Sequence, residues 1–387
     1  MTRLLVVGGG IAGTGAALAL HKAGLDVAVY EAHPGSAEDI GAFLTLASNG
    51  MRALAEVDAS AAVTSIGFPL TSMRVLDDTG AEAARMPLGE AGTAHLRYRC
   101  VRRGDLNSAL QAEVTRRGIG IRHGTRLVSV DEGPDGVTAH FADGTTATGD
   151  LLIGADGLNS TVRRLVTPDA RPDHAGQQVF YGYTREAPAA GEPETITMVR
   201  GSSVAFGYAV SPEGETYWFA RVAAEPLAAD EIEHGTPAHW RDLLLPLLRK
   251  DTTPAADLVE ATADDLMVTN ASELPTTTWR SGRTLLIGDA AHAASPATGQ
   301  GASMALEDAV VLAKSLRDAP DTDAALARYE TLRRPRVEHN ITVSGNISRG
   351  THAPSGPGPR GASANRPGDE ELLRQLDWDT DLWRPAS

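Results

Sequence analysis

The sequence has almost no cysteine, no excess of positive charge and no long apolar run. Cys100 is the single cysteine in 387 residues, which excludes an intramolecular disulfide and fits a reducing compartment. Lys and Arg number 35 against 50 Asp and Glu, a formal net charge of −15. That balance argues against a nucleic-acid binder, because phosphate neutralisation needs surplus basic side chains. No segment approaches the roughly 20 apolar residues of a membrane span. We therefore expect a soluble, cytoplasmic protein.

The remaining composition is that of a globular protein, and the N-terminal segment has the pattern of a parallel sheet. Hydrophobic residues make up 42% and charged residues 22% of the chain, enough to bury the cores of two domains. An apolar run at 4–7 enters a glycine-rich turn, apolar residues recur at helical spacing over 11–23, and a β-rich run follows at 27–30. Strand, helix and strand in this order predict a βαβ unit and a parallel sheet. Further helices are predicted at 49–57 and 301–316, and the Asp143-Gly144 pair between two β-rich runs predicts a hairpin. The stretch 352–367, rich in Gly, Pro and Ser, predicts a loop.

The glycine turn has the spacing G-x-G-x-x-G, formed by Gly8, Gly10 and Gly13 around Ala12. The first glycine permits the tight bend, the second lets the backbone approach a pyrophosphate, and the third allows close helix–strand packing. The helix N-terminus supplies N–H donors for the phosphates. Glu31 ends the second strand, 18 residues beyond Gly13, where a carboxylate accepts hydrogen bonds from a ribose diol. The pattern predicts a site for the AMP half of FAD or NAD rather than for NADP.

Two later segments carry the same kind of strand-to-helix turn. Residues 154–157, GADG, follow a buried strand pattern, although a DG turn alone is common. Residues 282–309 deliver Asp289 at a strand end, continue through Pro296 and open a helix at the GQG of 299–301. Asp289 suits the hydroxyls of a ribityl chain. The helix N-terminus suits the pyrimidine edge of a flavin, where negative charge develops on reduction. Together the three segments predict FAD.

With these segments in this order, the chain resembles the group A flavin-dependent monooxygenases, the aromatic hydroxylases similar to para-hydroxybenzoate hydroxylase. The resemblance covers residues 4 to about 335. It implies an α/β fold in which a Rossmann-like FAD-binding domain of the glutathione-reductase type carries an inserted antiparallel-sheet substrate domain. The cofactor contacts that it implies are Gly8, Gly10, Ala12, Gly13, Glu31, Arg103, Leu127, Asp156, Asp289, Pro296, Gly299, Gly301 and Ala302.

The expected domain boundaries follow from the change of pattern along the chain. Between 179 and 222 β-rich runs alternate with turns, and four of the seven tyrosines lie there, which is typical of an antiparallel sheet. We predict a discontinuous FAD-binding domain and a substrate-binding β-sheet domain, followed by a loop with a C-terminal packing segment. In that order their residues are 1–72, 98–170 and 281–347 for the first, 73–97 and 171–280 for the second, and 348–387 for the last.

Aromatic side chains of the middle sheet are the candidate substrate contacts. The substrate is expected between the flavin and this sheet, and strand alternation should turn about half of the candidates away from the pocket. The candidates are Phe43, Thr45, Tyr183, Phe206, Tyr208 and Tyr217. Tyr181 and Phe219 are two further residues that could line the pocket. No catalytic base and no metal site can be assigned from the sequence.

Two motif residues need separate comment. Ser303 occupies a position where many members of the resembled family carry Asn, so a hydrogen bond there is expected to differ. His292, in GDAAH, is expected to have a structural role rather than a catalytic one, although histidine is a common proton carrier.

The resemblance implies an activity as well as a cofactor. NADH or NADPH would reduce FAD, and the reduced flavin would react with O2 to give a C4a-hydroperoxide that hydroxylates an aromatic or polycyclic small molecule, in natural-product biosynthesis or aromatic catabolism. The alternatives are an FAD-dependent reductase or dehydrogenase without oxygen transfer, and a flavin-binding sensor without turnover. The expected assembly is a monomer or a homodimer.

Overall fold

The computed structural model describes residues 3–36, 41–90, 92–186, 191–275, 278–351 and 367–383. The strands of these segments are β1 (Arg3–Val7), β2 (Asp26–Tyr30), β3 (Phe43–Leu46), β4 (Phe68–Leu70), β5 (Ser72–Leu76), β6 (Glu82–Pro87), β7 (Tyr98–Arg102), β8 (Gly120–Arg122), β9 (Leu127–Gly133), β10 (Gly136–Phe141), β11 (Thr146–Gly149), β12 (Leu151–Gly154), β13 (Asp173–Thr184), β14 (Thr195–Arg200), β15 (Val204–Val210), β16 (Thr216–Ala223), β17 (Leu266–Glu273), β18 (Arg280–Ser281) and β19 (Thr284–Leu286).

The helices alternate with these strands along the chain. They are α1 (Ile11–Lys22), α2 (Ser48–Glu56), α3 (Ser60–Thr64), α4 (Arg103–Arg116), α5 (Thr161–Val166), α6 (Ala229–His234), α7 (Pro237–Leu248), α8 (Ala255–Glu260), α9 (Asp289–His292), α10 (Gly301–Asp318), α11 (Thr322–Ser348) and α12 (Pro367–Leu376).

Strands from the beginning, middle and end of the chain meet in one twisted sheet. Its order is β18-β19-β12-β1-β2-β8, and every pair is parallel except β18 with β19. The predicted βαβ unit is therefore confirmed. The strands β1 and β12 are buried along almost their whole length, as expected for a sheet covered by helices on both faces. The motif segments follow β1, β12 and β19, so all three lie at the carboxyl edge of neighbouring strands.

The second large sheet has the order β17-β13-β16-β15-β14-β5-β6. It is antiparallel except where β14 runs parallel to β5, so the predicted antiparallel sheet is confirmed with one added parallel pair. Successive side chains alternate between its two faces. One face packs on α7 and α8 through a cluster that includes Trp218 and Trp240. The other packs on the small sheet β3-β7-β4 through Phe43, Tyr183 and Tyr217; we call this second face the aromatic face.

The helices predicted from apolar spacing are confirmed to within about two residues at their ends, the usual ambiguity of a helix terminus. The predicted segment 11–23 corresponds to α1, 49–57 to α2 and 301–316 to α10. The hairpin predicted at a DG turn is β10 with β11. The loop expected over 352–367 lies almost wholly outside the described residues. Among the described residues, no helix is long and apolar enough to cross a membrane.

The C-terminal segment packs back on the sheet domain, as its apolar residues predict. Leu376 and Leu382 are fully buried. The Trp378 ring has the Lys22 ammonium 5.0 Å from its centre and the Arg317 guanidinium 5.0 Å from it, a geometry that attracts both cations. Beneath it, the buried Lys314 ammonium donates hydrogen bonds to backbone carbonyls at the end of α12, at 2.8 Å to Gln375.

Lys314 makes the docking of this segment dependent on pH. Burial lowers the pKa of its ammonium from 10.5 to about 8. Between these values the folded state carries the neutral amine and the unfolded state the ammonium, so the unfolded state binds more protons and stability rises with pH. Relative to Lys314→Met, the wild-type free energy of unfolding is expected to increase from pH 8 to pH 10.5. Urea unfolding across this range measures it; Lys250→Met, at an exposed lysine, should show no such trend, and a flat Lys314 difference contradicts the assignment.

Candidate functional site

The first motif segment is a tight turn whose glycines are required by close contacts. Gly8 has φ +109°, and a Cβ there would lie 2.4 Å from the Ala155 carbonyl oxygen. A Cβ on Gly13 would lie 1.9 Å from the Gly8 carbonyl oxygen. Gly10 differs, because a Cβ there would meet no atom within 4 Å. The turn is therefore closed on the protein side and open at Gly10, where first-turn N–H groups of α1 have no acceptor within the helix.

Glu31 lies beside this turn and fixes its shape. Its Oε2 accepts a hydrogen bond from the Gly9 amide at 2.5 Å, and its Oε1 accepts one from the His33 amide at 2.6 Å. Ionised carboxylate oxygens have further lone pairs, so ribose hydroxyls can still be accepted. Gln111 of α4 supports the same turn by donating to the Gly9 carbonyl at 2.8 Å. Sequence reasoning missed Gln111, since nothing in its local pattern separates it from a helix-surface glutamine.

The second segment, 154–157, is joined to the third through one buried arginine. Asp156 accepts from the amides of Thr161 at 2.6 Å and Val162 at 3.1 Å, so it caps the N-terminus of α5, where a carboxylate is favourable. Arg163 of that helix donates to the Ala290 carbonyl at 3.1 Å. Arg163 thus links the segment after β12 to the segment after β19.

The third segment turns sharply where β19 ends. Gly288 has φ +57°, and a Cβ there would lie 2.8 Å from Cβ of Ala12, so the third segment touches the first. Asp289 follows at the start of α9. The Gly288 amide donates to Asp308 Oδ2 at 3.0 Å, and His292 Nε2 lies 2.5 Å from the same oxygen. His292 is buried and held by this carboxylate, which is consistent with the structural role expected for it.

Asp308 belongs to a buried charge cluster beneath the turn. Arg333 donates to Asp308 Oδ1 at 2.8 Å, and its Nη1 lies 2.6 Å from Glu307 Oε2; all three side chains are fully buried. Glu307 also accepts from Arg336 at 2.8 Å and from Asn49 at 2.6 Å. Burial raises the pKa of Asp308, but His292 and Arg333 outweigh it and hold the pKa at about 2. The cluster joins α10 to α11, and through Asp308 it holds the turn that carries Asp289.

The loop at 296–302 connects this turn to α10, and serines of α11 anchor it. The Ser295 hydroxyl lies 3.0 Å from that of Ser344. The Thr298 hydroxyl donates to Asn340 Oδ1 at 3.0 Å. Within the loop, Pro296, Gly299 and Gly301 are exposed, and Ala302 is half-buried. The loop is therefore fixed from behind while its outer side stays accessible.

Ser303 begins the buried part of α10 and explains one departure in the sequence. Its hydroxyl accepts a hydrogen bond from the Ala47 amide at 3.1 Å. A Cβ on Gly50 would lie 2.7 Å from the same oxygen. The pocket between α2 and α10 is thus fitted to a small side chain, which a larger amide would overfill.

Strand β3 places two of the predicted substrate residues between the loop and the aromatic face. Thr45 and Phe43 are two residues apart and share one side of the strand. A Cβ on Gly299 would lie 3.2 Å from the Thr45 hydroxyl. The Phe43 ring contacts those of Tyr183 and Tyr217, with ring centres 6.2 Å and 5.6 Å apart. The structure therefore brings Phe43, Thr45, Tyr183 and Tyr217 together.

The structure does not bring Phe206 and Tyr208 to this place. Both lie on β15 with side chains on the opposite face of the sheet, and Phe206 stacks on Trp218 with ring centres 5.5 Å apart. Alternation along the strand is the cause, since even-numbered residues of β15 and β16 point towards α7 and α8. Tyr181 and Phe219, the other two lining candidates, are on the aromatic face.

The remaining predicted positions lie around the same edge. The Arg103 side chain is exposed at the start of α4, beside Gly41. Leu127 is buried at the start of β9. Cys100 is buried in β7, and burial raises the pKa of its thiol, so it has the character of a core residue.

The three converging segments suit the binding of the dinucleotide FAD. The open space at Gly10 admits a pyrophosphate, and the helix N-terminus supplies donors. Glu31 and Asp289 lie on either side of Gly10 along the sheet edge, after β2 and β19. This spacing of carboxylates about a phosphate-binding turn matches a ligand with one ribose and one ribityl chain, so the residues present fit the cofactor.

Comparison with known proteins agrees with this geometry. Residues 1–344 match the family model described as FAD binding domain. The chain is 32% identical to the aurachin C monooxygenase/isomerase of Stigmatella aurantiaca, over 89% of this chain and 88% of the relative. It is also 32% identical to the 3-amino-4-hydroxybenzoate 2-monooxygenase of Streptomyces cremeus, over 92% and 89%.

A solved structure shares the architecture. The HpxO protein of Klebsiella pneumoniae, complexed with FAD and uric acid, superposes with a TM-score of 0.80 at 28% identity, over 92% of this chain and 90% of that one. The sequence identity, the matched family model and the geometry of the three turns all indicate an FAD-binding protein. The chain therefore belongs to the FAD-binding domain family and is an FAD-dependent monooxygenase.

Proposed function

We propose that this enzyme uses NADH or NADPH and O2 to hydroxylate an aromatic or polycyclic small molecule held on the aromatic face. FAD, when bound, supplies the redox chemistry, because it accepts reducing equivalents from a nicotinamide nucleotide and activates O2. Gly8, Gly10, Ala12, Gly13 and Glu31 would hold its ADP half. The rest of the proposed contacts are Arg103, Leu127, Asp156, Asp289, Pro296, Gly299, Gly301 and Ala302.

The observation that carries the proposal is the position of β3. Thr45 faces the 296–302 loop and Phe43 faces the aromatic face, so one short strand connects the flavin side of the site to a wall of rings. Aromatic walls favour planar ligands through offset stacking and edge contacts. Phe43, Thr45, Tyr183 and Tyr217 therefore remain the proposed substrate contacts, and Phe206 and Tyr208 are left out.

The tyrosines of this wall act as neutral hydrogen-bonding groups. Burial raises the pKa of Tyr183, and Arg102 opposes it only partly. Burial likewise raises the pKa of Tyr217, against the hydrogen bond from Arg102. Their phenols therefore stay protonated at neutral pH and can donate to a substrate oxygen. The Tyr183 hydroxyl is buried and has no hydrogen-bond partner among the described residues, which leaves it available for a ligand.

Named relatives support a ring substrate. One relative is named for an aminohydroxybenzoate, and a structural neighbour was solved with uric acid. Both are planar and carry polar ring substituents. A wall of rings with a few inward hydroxyls suits that class.

The test uses the purified FAD-loaded enzyme, a panel of aromatic compounds and isotopically labelled O2. An accepted substrate is expected to stimulate NADH or NADPH oxidation and to gain one labelled oxygen atom, which mass spectrometry of the product detects. Enzyme stripped of FAD is the control and should show neither effect. Stimulated NADH or NADPH oxidation with a reduced product and no labelled oxygen would instead support a reductase. A dehydrogenated product formed as the oxidised nicotinamide nucleotide is reduced would support a dehydrogenase.

A further inference from the structure

Arg221 is a buried arginine whose side chain has no hydrogen bond or ion pair with the described residues. Arg221 lies in β16, and it is only 8% exposed. Its Nε and Nη1 atoms are buried and have no hydrogen-bond partner among the described residues. A buried charge without a partner costs several kcal/mol, so such an arginine is rarely kept for stability alone.

The other buried arginines of the described chain are all bonded. Arg99 donates to the Ile66 carbonyl at 2.7 Å. Arg163 donates to the Ala290 carbonyl at 3.1 Å, and Arg333 to the Asp308 carboxylate at 2.8 Å. Arg163 Nε and Arg333 Nη1 also have no hydrogen bond, but each of these three guanidinium groups makes at least one elsewhere. Arg221 is the buried arginine that makes none with the described residues.

In the described part of the chain, no carboxylate compensates Arg221 electrostatically. Burial lowers its pKa, and the Tyr181 phenol is the one group that opposes this shift. The guanidinium carbon of Arg221 lies 5.8 Å from the centre of the Phe219 ring. Within the described residues, the positive charge therefore faces rings and no anion.

The location of Arg221 connects it to the site. It is an odd-numbered residue of β16, so it shares the aromatic face with Tyr217 and Phe219 rather than the opposite face with Trp218. Tyr181, which interacts with it, also interacts electrostatically with Arg103, the exposed arginine at the head of α4. Tyr181 therefore interacts both with Arg221 and with an arginine that is proposed to contact FAD.

A second unsatisfied group lies near it on the same face. Val179 of β13 pairs with Arg221, and Gln177 is two residues earlier on that strand. The Oε1 atom of Gln177 is buried and has no partner among the described residues. A donor and an acceptor that are both unsatisfied, one diagonal step apart on a sheet, form a recognition surface for a polar group.

We propose that Arg221 is a substrate-recognition residue that binds an anionic oxygen of the aromatic substrate. The substrate is then an acidic aromatic compound. Its carboxylate or ionised hydroxyl accepts hydrogen bonds from the unpaired N–H groups of Arg221, while its ring lies against Tyr181 and Phe219. The inference rests on the proposed function, because it assumes that the aromatic face is the substrate wall. A guanidinium suits this role because its planar fork binds carboxylate oxygens bidentately.

Binding of matched ligand pairs to the FAD-loaded enzyme tests the proposal without turnover. The pairs are benzoate with benzamide, naphthoate with naphthamide, and ionised nitrophenol with nitroanisole. The change in flavin absorbance on titration gives each Kd. In the wild type at least one anion is expected to bind about ten- to a hundredfold more tightly than its neutral partner, the range of a charge-assisted hydrogen bond. The pair that discriminates tells a carboxylate substrate from a hydroxyl one.

Three variants define the role of the side chain. R221M is expected to bind both members of a pair equally. R200M, at an exposed arginine on strand β14 of the same sheet, should keep the wild-type preference. R221K retains the charge without the fork and should keep a weaker preference, and it carries the test if R221M fails to fold. Unliganded R221M is expected to melt no lower than wild type, because it removes an unpaired buried charge; an arginine with a structural role would lower the melting temperature.

Equal binding of every pair by the wild type would overturn the proposal, as would a wild-type preference that survives in R221M or is undiminished in R221K. These results are separable from failure of the proposed function. An enzyme that prefers the anion but incorporates no labelled oxygen retains the Arg221 assignment and loses the monooxygenase reaction on that substrate.

Discussion

Replacing Asp308 with alanine is expected to lower the free energy of unfolding by about 3–5 kcal/mol, the cost of leaving a buried charge without its partner. Glu307 would then be the only carboxylate paired with Arg333, and Glu307 also pairs with Arg336. The Gly288 amide and His292 would lose their acceptor as well. Urea unfolding, followed by tryptophan fluorescence, measures the loss.

The matched control is Asp323→Ala, which removes a carboxylate from a pair on the surface. The Asp323 side chain is 90% exposed and lies 3.5 Å from Arg280, so its loss should cost about 0.5 kcal/mol or less. An effect of that size at Asp308 would mean that water reaches the cluster and that the buried pair contributes little. The FAD content of purified Asp308→Ala is also expected to fall, because the turn that carries Asp289 loses its support.

Acid titration gives an independent check on the same carboxylate. The pKa of Asp308 is held at about 2, below its ordinary 3.8. A carboxyl group with a depressed pKa contributes stability above its unfolded pKa and loses it as the pH falls through the folded one. The stability difference between wild type and Asp308→Ala should therefore be constant above pH 4 and shrink as the pH falls towards 2. A difference that persists unchanged at the lowest pH would contradict the assignment.

The sequence predicted the parts of the fold that depend on local pattern. Apolar spacing located α1, α2 and α10, and the order of strand and helix indicated the parallel sheet. The glycine spacing located the turn after β1, because only a residue without Cβ fits at Gly8 and Gly13. Each of these signals is contained within a few consecutive residues, which is why a single sequence reveals them.

The contacts that hold the site together could not be predicted in the same way. Arg163 reaches a carbonyl 127 residues away, and Arg333 reaches a carboxylate 25 residues away. Arg221 resembles any arginine in an alternating strand, and only the three-dimensional arrangement shows that it lacks a partner. For Phe206 and Tyr208 the composition of the strand was informative but its phase was not, since alternation alone does not say which face meets the cofactor.

Alanine substitutions at Gly10 and Gly13 are expected to separate cofactor binding from folding. At Gly13 a Cβ would lie 1.9 Å from the Gly8 carbonyl oxygen, a clash between two backbone segments that no rotamer relieves. Gly13→Ala should therefore push α1 away from β1, and both the melting temperature and FAD binding should fall severely. The neighbouring glycine provides the matched case on the same turn.

At Gly10 the added methyl group would meet no protein atom within 4 Å, and the backbone φ of −77° at Gly10 is allowed for alanine. The apo form of Gly10→Ala should be as stable as wild type or slightly more so, since alanine lowers the entropy of the unfolded chain. Its methyl group would occupy the space proposed for the approach of the pyrophosphate, so FAD affinity should fall by about tenfold or more, a loss of about 1.4 kcal/mol. Calorimetric titration of apoprotein with FAD, beside thermal melting, measures both quantities.

Undiminished FAD affinity in Gly10→Ala would place the pyrophosphate elsewhere, and the role of the open turn would have to be reassigned. Loss of stability equal to that of Gly13→Ala would show that the space at Gly10 is needed by the protein rather than by the cofactor.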